Sequence, residues 1–430
     1  MKKELNEKFV EWLSNSKGED RWMLDFRLMA YKKFLQMDNP TFGPKIDIDF
    51  NNINYYKNDD KKLQSDWNNV SNEIRNTFNT LGVIEAENKY LGGVSNQFES
   101  EVVYHKNITK KDIIFTSTDN ALKEYPELFK KYFNNLVKYD ENKYTALNSA
   151  LWSGGSFIYI PPYTKLDRPL QSYFRINSEN LGQFERTIII VDDYSSLEYI
   201  EGCTAKSYST SSLHAGVVEI YVGKHASCRY STIQNWSNDV YNLVTKRAIV
   251  DEYGKMEWID GNIGSGVTMK YPSSILKGDY SVGNSLSIAY AKNIQRLDAG
   301  AKMIHLGKHT KSNIVSKSIA TQGGESNYRG CVHITKDAMC SSAKVKCDTL
   351  ILDSKSSSNT YPKNIISNDS SVLEHEATIS KVSEEKLRYL MGKGLKEEKC
   401  MELLVLGFMA DLKKELPMEY AVELNRLIKD

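Results

Sequence analysis

From about residue 155 the chain loses helical periodicity and becomes a succession of short apolar or alternating segments separated by polar turns. Ser156-Phe157-Ile158-Tyr159-Ile160, Thr187-Ile188-Ile189-Ile190-Val191, Val217-Val218-Glu219-Ile220-Tyr221-Val222, Lys255-Met256-Glu257-Trp258-Ile259 and Asn313-Ile314-Val315-Ser316 are examples. The pattern runs for roughly 200 residues with no clear helical interruption, which leaves a large sandwich, a barrel or a solenoid. Short segments, recurrent Ser/Asn/Thr/Gly turns and the lack of long hairpins with Asn-Gly turns favour the solenoid. Its open ends would expose core and unpaired strand edges, so a solenoid needs caps.

The two ends of the chain can supply them. Helices are expected over residues 4–13, 21–35, 73–81 and 126–133, with Pro40 and Pro44 stopping the second. After residue 382 helix returns. Ser383-Glu384-Glu385 opens one segment, a second covers 396–412, and Leu416-Pro417 opens a third over 418–428. The expected division is therefore 1–154 mainly helical, 155–380 β, and 381–430 helical.

Composition narrows the function. Lys plus Arg number 56 against 55 Asp plus Glu, a net charge of +1, so no chain-wide cationic field exists to hold nucleic acid or an anionic membrane. With 40% hydrophobic residues the chain can bury a core. No apolar run approaches 20 residues and the start is charged, which predicts a cytoplasmic protein, or an organellar one if a targeting segment has been removed. The six cysteines, Cys203, Cys228, Cys331, Cys340, Cys347 and Cys400, form no C-x-x-C pair, so a structural zinc site is not expected.

Familiar catalytic motifs fail. His375-Glu376 is half of H-E-x-x-H, but Ile379 stands where the second histidine belongs. Gly307-Lys308 lacks both the earlier glycine and the following Ser/Thr of a phosphate loop, so the chain itself should not hydrolyse ATP. Serine-hydrolase chemistry lacks its G-x-S-x-G elbow. What remains is thiol chemistry. By strand alternation Cys347 shares a face with Val345, Thr349 and Ile351, and Cys203 with Tyr199 and Glu201. Taken alone, either cysteine reads as a small buried residue, and Glu374-His375-Glu376 as a solvated strand or loop.

Several blocks resemble a known family, in order along nearly the whole chain. They include Arg21-Trp22-Met23-Leu24-Asp25-Phe26-Arg27-Leu28, Tyr173-Phe174-Arg175-Ile176-Asn177, Tyr199-Ile200-Glu201-Gly202-Cys203, and Tyr230-Ser231-Thr232-Ile233-Gln234-Asn235-Trp236. Val244-Thr245-Lys246-Arg247, Leu373-Glu374-His375-Glu376-Ala377-Thr378 and Leu416-Pro417-Met418-Glu419-Tyr420 continue the series. The sequence is similar to the SufB/SufD family of the SUF iron-sulfur cluster assembly system, and in the last two blocks to its SufB scaffold type.

That resemblance implies a right-handed parallel β-helix between helical terminal domains, working as a scaffold rather than an enzyme. It implies a SufC-type ABC ATPase docked on the C-terminal helices, a SufD-type subunit or a second copy of the chain, and a cysteine desulfurase or other sulfur donor. By the same resemblance Cys203 accepts persulfide sulfur, Arg175, Asn177, Gln234, Trp236 and Lys246 line the sulfur path, and Cys347 is the assembly thiol. Glu376, with His375 and Glu374, would support the nascent cluster as metal ligands. A transient iron-sulfur cluster is the cargo, and a reduced flavin is the electron source in parts of the family. A cation such as Lys246 or Arg175 is expected to lower a neighbouring thiol's pKa.

One departure is that the cysteine cluster many members carry in the N-terminal region is missing from Tyr55-Tyr56-Lys57-Asn58-Asp59-Asp60-Lys61-Lys62. Two alternatives are a SufD-type partner subunit and, less favoured, a β-helix carbohydrate-active enzyme, for which no outer-face carboxylate set is evident.

Overall fold

Parallel pairing between strands about 30 residues apart, and not between sequence neighbours, organises the chain. The structure is a computed structural model and describes residues 4–58, 62–107, 112–410 and 414. It is mainly β, a solenoid of about eight turns with helices at both ends. One sheet runs in the order Glu101–Asn107, Gly93–Phe98, Leu170–Ile176, Ser196–Ala205, Ser227–Asn235, Lys255–Asn262, Val282–Lys292, Lys311–Thr321, Ser342–Ile351, Val372–Lys381. The facing sheet begins with Ile114–Ser117 and Ser156–Ile160, continues through Arg186–Val191, Val217–Val222 and Val240–Val250, and ends with Arg296–His305, Glu325–Ile334 and Thr360–Ile366.

Alternation explains why these segments stack. In Ser342–Ile351, Ala343, Val345, Cys347 and Thr349 are buried while Lys344 and Ser342 are exposed, a period of two that turns one face inward. The strands expected from the sequence fall within or nearly on the observed ones. Strands also lie before residue 155, where Gly93–Phe98 pairs in parallel with Leu170–Ile176 and Ile114–Ser117 pairs antiparallel with Ser156–Ile160.

One corner of each coil is closed by a residue in the left-handed backbone region: Tyr163, Tyr194, His225, Tyr253, Tyr280, His309 and Cys340, with φ between 53° and 60°. This conformation aims each N–H along the stack at the next coil. Tyr194 donates to the Lys224 carbonyl at 2.8 Å, Tyr253 to Asp279 and Tyr280 to Lys308, both at 2.9 Å. The six rings from Tyr163 to His309 form a continuous stack, with centroids 4.7 to 5.0 Å apart and planes within 12°. The spacing is that of the strands beneath them, about 4.8 Å.

The helices cover the first sheet and brace the second. Ile74 and Phe78 of Asn72–Thr80, together with Val405 and Met409 at the C-terminal end, pack on an outer face of Tyr173, Ile200, Ile233, Ile259, Ile288 and Ile319. On the second sheet the buried Glu219 carboxylate accepts from the backbone N–H groups of Asn134, Asn135, Leu136 and Val137 and pairs with Arg186 at 2.6 Å. Four amides and a guanidinium thus fix the loop before Lys143–Leu151 to the solenoid. The C-terminal helices are Glu384–Gly392, capped by the Ser383 side chain, and Glu397–Phe408. The helix expected over 418–428 lies outside the described residues, as does the end of that over 396–412.

Candidate functional site

The site is built by register. Reading across the first sheet, Glu201, Thr232, Asp260, Ser287, Ser316 and Cys347 are consecutive partners. Two residues along, Cys203, Gln234, Asn262, Ala289, Ser318 and Thr349 form a parallel column on the same inward face. All twelve side chains are buried. A row of small or polar groups therefore lines the solenoid from the Glu201–Cys203 coil to Cys347, about 24 Å at ~4.8 Å per strand.

At the Cys203 end the charged groups are paired and dry. Glu201 Oε1 accepts from Lys246 Nζ at 2.8 Å, from Thr232 Oγ1 at 3.2 Å and from the Cys203 thiol at 3.7 Å, while Tyr230 donates to Oε2. A second pair lies further along the stack, with Lys270 Nζ 2.5 Å from Asp260 Oδ1 and 2.9 Å from Gln234 Oε1. Asn242 links Gln234 to His214, which contacts Glu185 at 2.8 Å and lies against Trp236 with ring centroids 4.6 Å apart. The donors Gln234 Nε2 and Trp236 Nε1 are buried without a partner.

Electrostatics sets the resting protonation. Burial alone would raise Glu201, but Lys246 and then Tyr230 outweigh it and hold the carboxyl down at about 2. Burial would lower Lys246, and Glu201 reverses that, leaving its pKa above the ordinary value. For Cys203, burial and then the Glu201 charge push the thiol well above its ordinary range. Lys246 does pull the Cys203 thiol down, as expected, but burial and the Glu201 charge outweigh it in the resting site.

Around Cys347 the arrangement is sparser. Its Sγ lies 4.0 Å from His375 Nε2, and His375 Nδ1 meets the Asn364 amide at 3.1 Å. Burial raises the Cys347 thiol to about 12, against the pull of the Tyr328 hydroxyl that faces it without forming a well-shaped hydrogen bond. Imidazole and thiolate are both good iron ligands, so this pair offers two donors. Among the described residues no group of three or more His, Cys, Asp or Glu is placed to hold a metal ion.

The expected site residues therefore divide. Cys203, Gln234, Trp236 and Lys246 come together inside the solenoid, and Cys347 meets His375. Arg175 and Asn177 do not join them. Arg175 pairs across the sheet with Thr204, one position off the Cys203 face, donates to Thr204 at 3.1 Å, and lies beside Asn177 at 3.4 Å. Glu374 and Glu376 project from the opposite face to His375, where they are exposed and pair with Lys344 at 3.4 Å and Lys346 at 3.8 Å. Sequence reasoning did not single out Glu201, Asp260, Lys270, His214 or Glu185. Alternation puts Glu201 on the Cys203 face, and only the coil length would have aligned the others. All six cysteines are free thiols, with Cys228 and Cys400 buried in packing and Cys340 exposed at the left-handed corner.

The structure is a parallel β-solenoid with two thiols on the inward face of one sheet, and comparison with known families is specific. Residues 174–408 match the family model described as the SUF system FeS cluster assembly SufBD core domain, and residues 16–172 that of the SufBD protein N-terminal region. The chain belongs to the SufBD family of SUF iron-sulfur cluster assembly proteins. Iron-sulfur cluster assembly SufBD family proteins of Staphylococcus saprophyticus and Staphylococcus epidermidis are each 56% identical over 429 residues, covering 99% of this chain and 92% of the relative. Among the described residues no helix is long and apolar enough to cross a membrane.

Proposed function

We propose that this chain is a SufB-type scaffold, which accepts sulfur at Cys203 and builds a cluster at Cys347. The observation that carries this reading is the in-register polar column joining the Cys203 coil to Cys347 and His375 at the open end. In the first step the Cys203 thiolate attacks the outer sulfur of a donor persulfide. One S–S bond forms, the donor's S–S bond breaks, and the donor leaves as a thiolate, with no net redox change. At Cys347, thiolate and imidazole bind iron, and two protein donors leave the cluster loosely held and transferable.

The remaining donors come from a partner at the open end. The last strands, Thr360–Ile366 and Val372–Lys381, have no further strand beyond them among the described residues and expose Tyr361, Ile366, Val372 and Ile379. An unpaired edge flanked by apolar side chains suits the end of a second solenoid, either a SufD-type chain or another copy. In this reading the helical part before residue 155 supports the solenoid of 155–380, the tail of 381–430 docks an ATPase of the SufC type, and the complex works in the cytoplasm. Glu376 reaches a cluster at the interface from the outer face of the solenoid, and Arg175 and Asn177 act at the surface where sulfur arrives.

The test is genetic and spectroscopic. Cys347→Ala should fail to complement a strain lacking the chain and should hold no cluster after anaerobic reconstitution with the ATPase, as read by absorption and Mössbauer spectra. A fully active variant would sink the assignment.

A further inference from the structure

Resting on the reading of Cys203 as the sulfur acceptor, we infer that Glu201 is a positioning residue that binds the Lys246 ammonium in competition with Cys203 and holds the thiol proton until sulfur is delivered. Convergence is the geometric basis. Lys246 Nζ, Thr232 Oγ1 and the Cys203 thiol all donate to the same oxygen, Glu201 Oε1, at 2.8, 3.2 and 3.7 Å. Lys246 rises from the facing sheet, and its ammonium also contacts the Tyr230 hydroxyl at 3.3 Å. Glu201, Lys246 and Cys203 are each at most 1% exposed, so water does not screen this competition.

A nucleophilic thiolate at Cys203 needs the cation, and the cation sits on the carboxylate. The groups whose charge acts on Cys203 are Glu201 and Glu185, which oppose ionisation, and Lys246 and Lys270, which favour it, with the Tyr199 phenol also coupled to it. Lys270 is itself held by Asp260. The resting arrangement therefore protects the sulfur acceptor as a neutral thiol, inert toward oxidants. Loss of the thiol proton to a base that arrives with the donor leaves a sulfur anion beside Glu201, and Lys246 can then turn from one to the other without leaving the interior.

The experiment follows the S–H stretching band of Cys203 by Raman difference spectroscopy, full-length protein minus its Cys203→Ala variant, as pH is raised. In the wild type the band should persist to strongly alkaline pH. In Glu201→Gln, which keeps the shape but frees the ammonium, it should disappear at least one pH unit lower, about a tenfold larger thiolate fraction at a given pH. Glu201→Asp, retaining a carboxylate for Lys246, should restore a titration near the wild type. A residue that merely filled space would leave the titration of the glutamine variant in place. An S–H band in Glu201→Gln that titrates at or above the wild-type pH overturns the inference. Where the glutamine variant does not fold, Glu201→Asp/Lys246→Met against Glu201→Asp decides. Removing the ammonium should then make the S–H band more persistent, and an unchanged band overturns the inference. The titration needs no sulfur donor, so an outcome in which Cys203 never accepts sulfur but its S–H band shifts as stated refutes the acceptor reading alone.

Discussion

An ionised carboxylate sealed inside a β-solenoid makes stability depend on acid. Glu201 is held at about 2 by Lys246 and Tyr230 despite its burial, whereas in the unfolded chain it would titrate near 4.3. As pH falls the unfolded state takes up this proton first, so the stabilisation is full above about pH 4.5 and is lost as pH drops toward 2. It amounts to about 3 kcal/mol. Urea denaturation at pH 6 and pH 3 should show about half of that loss in the wild type, because pH 3 still lies above the folded-state pKa. Glu201→Gln should be less stable at pH 6, because it leaves Lys246 buried and unpaired, and should lose less between the two pH values. Equal losses in both proteins would place the acid sensitivity elsewhere. At this scale the sequence was a partial guide. Alternation puts Glu201 and Cys203 on one face, but the partners Lys246, Asp260 and Lys270 come from other strands. Arg175 and Asn177, though close in sequence to the block matching Phe174, fall a single position off the inward face, where a one-residue shift reverses the side.

Short strands held by a left-handed corner are the unit of the molecule. A non-glycine residue in that conformation costs about 1–3 kcal/mol, offset here by an N–H donated to the next coil and by a ring stacked above and below. At Tyr253 two opposite substitutions separate these contributions. Tyr253→Gly removes the backbone strain and the stack together and should change stability by less than about 1 kcal/mol. Tyr253→Val keeps the strain, adds a branched Cβ and loses the stack, and should cost about 2–3 kcal/mol in urea denaturation. Similar values for the two would mean that the corner is not where the energy lies. The strands themselves were legible because each carries its own alternation. The stack was not, since Tyr163, Tyr194, His225, Tyr253, Tyr280 and His309 look like scattered surface residues until the coil period superimposes them. The last two strands, Thr360–Ile366 and Val372–Lys381, lack the apolar alternation of the others because little covers them, so their sequence resembles a solvated segment. Short helices such as Val83–Lys89 and Thr118–Glu124, seven residues each, are too brief to show a helical period.

In the whole molecule, helices pack on both sheets and leave the end beside Cys347 open. Val405 and Met409 rest on the same apolar outer face as Ile319 and the partly buried Leu350, so the C-terminal segment is tied to the solenoid near that end. Truncation after Lys396 should abolish co-purification with the ATPase and lower the thermal midpoint by a few degrees while far-UV circular dichroism stays β-rich, because each coil depends chiefly on its neighbours. An ATPase that still co-purifies would move its docking surface elsewhere. Texture alone separated a long β region from helical ends and favoured a solenoid over a sandwich or barrel, and the family resemblance implied the β-helix. Its strand-to-strand register was not legible, because coil length varies around about 30 residues and the slack is taken up in the turns. That slack makes the β-solenoid a ruler. Each coil adds one rung of about 4.8 Å between Cys203 and Cys347 whatever the number of residues in its loops, so the separation of the two sulfurs is counted in turns and is indifferent to insertions at the corners.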